Sequence, residues 1–147
     1  MGLRDVDVKT AFELQSSEGY TYVDVRSVPE YENGHAQGAH NVPLLHHDPA
    51  TGQMLPNPEF LAVMQANYPP ETRLLVGCQM GGRSARAAQL LAAAGYEDVA
   101  NVRGGYGGAR DPRTGQVQAE GWVAAGLPVE QSATAGGGYE DLRGKLP

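Results

Sequence analysis

The chain holds one cysteine, Cys78, at the head of the run Cys78-Gln79-Met80-Gly81-Gly82-Arg83-Ser84. An apolar run, Leu74-Leu75-Val76-Gly77, precedes it, and an alanine-rich stretch of helical character, Ala85 to Ala94, follows. A lone thiol between a buried strand and a helix start is well placed to be a nucleophile. Backbone N–H groups of the loop and of the first helical turn have no intrahelical acceptors. They converge on whatever anion occupies the loop, and the helix dipole adds to the attraction. Such surroundings favour the thiolate, the reactive form of a cysteine. Gly81 and Gly82 permit the tight turns that this needs. A cysteine outside such a setting is most often a small buried hydrophobe, so it is the loop that carries the reading.

Gln79, Met80, Gly81, Gly82, Arg83 and Ser84 are expected to form the substrate-binding loop around a catalytic Cys78. Gln79 and Met80 line its mouth, which has no cation between Cys78 and Arg83. Arg83 either binds an anion or fixes the loop by bonding its carbonyls or a carboxylate. Ser84 reads as a helix cap as readily as a hydroxyl touching sulfur. Asp24 and Arg26, at the end of a strand expected beside the Cys78 strand, face the same rim as supporting residues. Other positive groups that could serve an anionic donor are Arg86, one turn into the helix, and Arg103, Arg110 and Arg113 after the last strand. Glu30 is expected to cap a helix and His35 to bond backbone. His46, His47 and Asp48 are metal-ligand types, but adjacent residues on an extended segment point opposite ways. They read as surface loop residues, and no metal or organic cofactor is expected.

The elements that must hold these residues alternate strand and helix, which favours a parallel α/β sheet. Val6 ends a short edge strand, and Asp7 caps a helix running to about Gln15. Tyr20 to Val25 is a strand rich in β-branched and aromatic residues. Ser27-Val28-Pro29-Glu30 has the form of a capping box with proline in the first turn, and its helix stops near Gly34. Ala39 to Val42 is a short strand, and Leu44 to Leu55 a polar loop. A helix opens at Asn57-Pro58-Glu59 with Phe60, Leu61, Val63 and Met64 inward. Arg73 to Gly77 is the central strand, Ser84 to Ala94 a helix stopped by Gly95, and Val99 to Val102 the last strand. Gly107 to Arg113 reads as a basic-tipped insertion, either an ordinary surface loop or a partial lid. A short helix around Ala119 to Ala125 carries Trp122 inward.

Size and composition bound the rest. At 147 residues, 41% hydrophobic and 19% charged, the chain suits one globular domain with a single core. Residues 1–130 are expected to form it, and residues 131–147 a flexible linker and short C-terminal tail. A net charge of −6 argues against nucleic acid as the main partner. No apolar run approaches the roughly 20 residues that span a bilayer, and Met1 to Asp5 has no apolar leader region. A single cysteine makes no intrachain disulfide, which suits a reducing, cytoplasmic setting.

The motifs, taken in order, resemble the rhodanese-like sulfurtransferases, as a single-domain member. The resemblance rests on Val23-Asp24-Val25-Arg26, Glu30 with Gly34-His35, Gly38-Ala39-His40-Asn41-Val42-Pro43, and Cys78-x-x-Gly81-x-Arg83-Ser84. It continues through Gly95-Tyr96, Gly104-Gly105, and Trp122 with Gly126-Leu127-Pro128-Val129. It implies a rhodanese-like α/β fold, a five-stranded parallel sheet with helices on both faces, and a catalytic loop at the carboxyl ends of the strands. It also implies ping-pong transfer of a sulfane sulfur from a donor such as thiosulfate to a thiol or cyanide through a Cys78 persulfide. A sulfur-carrier protein is the alternative partner, in a relay or regulatory module with little turnover. Four residues separate Cys78 from Arg83, one fewer than in the phosphate-handling proteins this loop resembles. Those also usually place a histidine before the cysteine, where this chain has Gly77. Both differences count against phosphatase or arsenate reductase chemistry.

Overall fold

The computed structural model describes residues 3–147, so the reading of the leader, where it concerns Met1 and Gly2, lies outside the described residues. Five parallel strands form the sheet, in spatial order Leu3–Val6, Asp98–Val102, Arg73–Gly77, Thr21–Asp24, His40–Asn41. The central strand, with Leu74, Leu75 and Val76 all fully buried, is apolar on successive residues because both of its faces are covered. Side chains alternate between those faces. Leu74, Val76, Cys78 and Val99 join the cluster under the helices Phe60–Asn67, Gly82–Ala93 and Tyr139–Arg143. Tyr22, Leu75, Ala100 and Val102 join the opposite cluster, with Val8 and Ala11 of the helix Val8–Ser17, Tyr31 of the helix Val28–Glu32, and Trp122.

The expected caps are present. Asp7 accepts a hydrogen bond from the Thr10 N–H at 2.7 Å, and the Glu30 carboxylate reaches back to the Ser27 N–H at 3.2 Å. Helix Gly82–Ala93 begins two residues ahead of the expected Ser84, with Gly81 rather than Ser84 at the cap.

Three segments differ from the sequence reading. The expected loop Leu44 to Leu55 is an antiparallel ribbon in which Leu45–His47 pairs with Met54–Pro56. The insertion is also a ribbon, Ala109–Arg110 against Val117–Ala119. No helix forms around Trp122: the Trp122 N–H donates to the Gly105 carbonyl at 2.8 Å and the Val123 N–H to that of Tyr106 at 3.2 Å, and the single turn closed by the Ala125 N–H on the Gly121 carbonyl at 3.0 Å is not continued. Trp122 itself is fully buried, as expected.

Residues 131–147, expected as a linker and tail, lie against the domain. The Asn41 N–H donates to the Gly137 carbonyl at 2.8 Å. Asn67 Nδ2 donates to the Leu142 carbonyl at 2.8 Å, and Leu142 is buried. Among the described residues, no helix is long and apolar enough to cross a membrane.

Candidate active site

The sheet ends at Gly77, and the chain turns through Cys78 to Gly81 before entering the helix. Gly81 adopts φ +104°, a conformation that side chains with Cβ rarely take. That turn aims the loop amides at the sulfur. Cys78 Sγ accepts from the Gly81 N–H at 3.1 Å and the Ser84 N–H at 3.4 Å, and the Ser84 hydroxyl lies 3.3 Å away. Cys78 is only 2% exposed, so its sulfur meets the amides in a nearly closed cradle. From behind, the glycine-rich segment clamps the loop: the Tyr106 N–H donates to the Cys78 carbonyl at 2.8 Å, and the Gly107 N–H to that of Gln79 at 2.9 Å.

Gly77 is required for space. A Cβ at that position would collide with the Tyr22 hydroxyl, so no histidine fits ahead of the cysteine.

Two arginine–carboxylate pairs brace the loop. Arg26 and Asp24 are buried together, with Arg26 Nη2 on Asp24 Oδ2 at 2.7 Å and Nε on Oδ1 at 3.0 Å. Arg26 also donates to the Gly34 carbonyl at 2.7 Å and to Gln79 Oε1 at 3.1 Å, with its guanidinium 4.6 Å above the Tyr106 ring. The supporting pair thus reaches the cysteine loop through Gln79. Arg83 turns outward and forks onto Glu30, at 2.7 and 2.9 Å. The family resemblance favours a loop-shaping role for it, through the loop's carbonyls or a carboxylate, and the partner here is a carboxylate. The partner was missed because Glu30 lies 53 residues away. Burial pushes the Glu30 carboxyl up, but the hydrogen bonds and charge of Arg83, with the bonds from Ser27, outweigh it and hold the group down to about 2.

Ser84 lies in the first turn of the helix and reaches across to the sheet. Its hydroxyl lies 2.6 Å from Asn101 Oδ1 on the neighbouring strand, and Asn101 Nδ2 donates to Asp5 Oδ1 at 3.0 Å. The available signal was a polar residue inside the apolar strand Val99-Ala100-Asn101-Val102.

The four candidate donor-binding arginines make no side-chain contact with the sulfur. Arg86, Arg103, Arg110 and Arg113 are exposed, and among the described residues no side-chain hydrogen bond joins them to the cysteine loop. Arg110 bonds the Gly115 carbonyl at 3.0 Å, within its own ribbon. Arg86 lines a cleft with Leu44, Pro56 and Phe60 on the helix flank. A cleft of about 340 Å³ beside Arg83 and Glu30 is completed by His47 and Met54 of the first ribbon. His35 bonds the Tyr31 carbonyl at 2.7 Å through Nδ1, in the structural role expected of it. Among the described residues, no three metal-ligating side chains are grouped to hold an ion.

An open parallel α/β sheet that presents a cysteine to converging amides at its carboxyl edge defines a class of anion- and sulfur-handling domains. The family profile described as "Rhodanese-like domain" matches residues 7–110, and the chain belongs to that family. It is 36% identical over 125 residues to Thiosulfate sulfurtransferase 16, chloroplastic, of Arabidopsis thaliana, covering 85% of this chain and 91% of that protein. It is 42% identical over 103 residues to Thiosulfate sulfurtransferase 18 of the same plant, covering 69% and 74%. Among solved structures it is similar to Rv0390 from M. tuberculosis, with a TM-score of 0.70 and 28% identity over 90% of this chain and all of that one. The fold is rhodanese-like, and both of these plant relatives are named as thiosulfate sulfurtransferases.

Proposed function

We propose that this protein moves a sulfane sulfur from a donor such as thiosulfate to a thiophilic acceptor, a thiol or cyanide, through a persulfide on Cys78. The observation that carries this reading is the pair of N–H groups, of Gly81 and Ser84, directed at the single thiol of the chain. The Cys78 thiolate attacks the outer sulfur of thiosulfate. A new S–S bond forms to Cys78 while the old one breaks, its electron pair leaving with sulfite. The persulfide's outer sulfur carries the negative charge, and loop amides stabilise it as preorganised dipoles. The acceptor then attacks that sulfur and Cys78 leaves as thiolate, in a ping-pong cycle. Among the relatives, two are named as thiosulfate sulfurtransferases, which supports thiosulfate as a donor to test first. A reducing cytoplasm is the compartment that suits an unpaired catalytic thiol.

One observation favours a second reading. Both arginines nearest the loop are already matched to carboxylates, Arg26 to Asp24 and Arg83 to Glu30. Little free positive charge remains to attract a dianionic donor. That suits a relay in which a persulfidated partner protein supplies the sulfur.

Incubation with thiosulfate followed by intact mass is the deciding experiment. A gain of one sulfur atom is expected in the wild type and none in Cys78→Ser. No gain with thiosulfate but a gain from a persulfidated donor protein would select the relay, and no gain from either would overturn both readings.

A further inference from the structure

We propose that Asp5 and Asn101 are positioning residues for Cys78: they lock the Ser84 hydroxyl so that it turns a lone pair, not its hydrogen, toward the sulfur. The proposal rests on Cys78 being the nucleophile, and it concerns what sets that nucleophile's form. Ser84 Oγ has one hydrogen and three acceptors in reach: Asn101 Oδ1 at 2.6 Å, the Gly81 carbonyl at 3.2 Å and Cys78 Sγ at 3.3 Å. Which of them receives the hydrogen is decided two residues away.

Asp5 and Asn101 face each other in register on adjacent parallel strands. An ionised carboxylate only accepts hydrogen bonds, so the Asn101 end 3.0 Å from Asp5 Oδ1 must be the NH₂. The amide oxygen therefore faces Ser84. Two bare acceptors at 2.6 Å repel, and the Ser84 hydrogen lies between them as a short O–H···O bond. What remains for Cys78 is an oxygen lone pair. The neutral thiol satisfies that lone pair by donating its S–H while still accepting from Gly81 and Ser84 N–H groups. The thiolate keeps the two amides but meets an acceptor on its third side.

Other charged or titratable groups surround the thiol. Tyr22 lies on the neighbouring strand, with the Asp24–Arg26 pair beyond it. Arg83 with Glu30 approaches from the helix start. None of these contacts the Ser84 hydroxyl, so the lock can be released without touching them.

The test is the rate of alkylation of Cys78 by a small reagent, iodoacetamide, at about pH 7 and about pH 10. In Asp5→Ala, an exposed position, the Asn101 amide is free to turn and the Ser84 hydrogen becomes available to sulfur. In Asn101→Ala the shortest competing acceptor is gone, and the hydrogen is shared between the Gly81 carbonyl at 3.2 Å and the sulfur at 3.3 Å. Both variants are expected to react about threefold faster near pH 7. A hydrogen bond to a charged acceptor raises the thiolate fraction about tenfold, and the stabilised thiolate loses part of that gain in nucleophilicity. Near pH 10, where an ordinary thiol is ionised, both are expected to react more slowly than wild type. This crossover separates release of the lock from simple loosening, which speeds alkylation at both values. Adding Ser84→Ala to Asp5→Ala is expected to erase the effect. Unchanged rates in Asp5→Ala, a gain at both pH values, or a gain that survives Ser84→Ala would overturn the proposal. Because the readout is alkylation, a chain that takes no sulfur from thiosulfate still passes or fails this test independently.

Discussion

Two arginine–carboxylate forks flank the cysteine loop, and they differ in how much water reaches them. Asp24 and Arg26 keep 4% and 3% of their side-chain surface, whereas Glu30 and Arg83 keep 32% and 23%. The inner fork also engages the Gly34 carbonyl and Gln79, so its guanidinium is held on several sides. The outer fork lies on a cleft, and beyond its carboxylate Arg83 has solvent. The same chemical pairing thus does two jobs. Inside, it is a rigid strut whose charge has nowhere else to go. Outside, it is a clasp that fixes the loop's direction while remaining open to screening.

The difference has consequences that can be measured. The largest is expected from Asp24→Asn, which leaves the buried Arg26 charge uncompensated. It should lower stability by about 3–5 kcal/mol in urea unfolding, and a loss under about 1 kcal/mol would break the contrast. Glu30→Gln is expected to lose no more than about 1 kcal/mol, since Arg83 can turn to water. Equal losses in the two variants would mean that the outer fork is as dry in solution as the inner one.

The smallest effect is in acid. The folded Glu30 carboxyl sits at about 2, against 4.5 for the free group. A depressed carboxyl contributes its stability above the unfolded value and loses it as pH falls through the folded one. The stability gap between wild type and Glu30→Gln should therefore be full above pH 4.5 and shrink as pH drops toward 2. A gap that is constant from neutral pH into this range would remove the fork as its source.

The inner half of this arrangement was largely legible in the sequence. The β-branched run around Val23, the apolar run at Leu74-Leu75-Val76, and the caps at Asp7 and Ser27 follow local rules, and the sheet comes from them. The cysteine loop was legible because strand, glycines and helix start are contiguous. What escaped were pairings across distance. Nothing in the composition near Arg83 names Glu30, and Asn101 registers only as a polar interruption in a strand. The two ribbons were missed for a different reason. Leu45–His47 and Ala109–Arg110 are two or three residues long and largely solvated, too short to show alternation. The turns around Trp122 were read as a helix because local propensity cannot register that the glycine-rich segment takes their hydrogen bonds.

Gly77 and Tyr22 together constrain the routes by which this scaffold can diverge. Replacing Tyr22 by phenylalanine does not open position 77, since ring carbons already lie 2.7 and 2.9 Å from where a Cβ would stand. A descendant with any side chain ahead of the cysteine must first shrink residue 22, which forfeits an edge-on contact with Trp122 at 5.4 Å. Truncating a buried aromatic costs about 3–5 kcal/mol, a large share of the stability of a small domain. The opposite order sets a Cβ against the Tyr22 ring in the buried centre of the sheet.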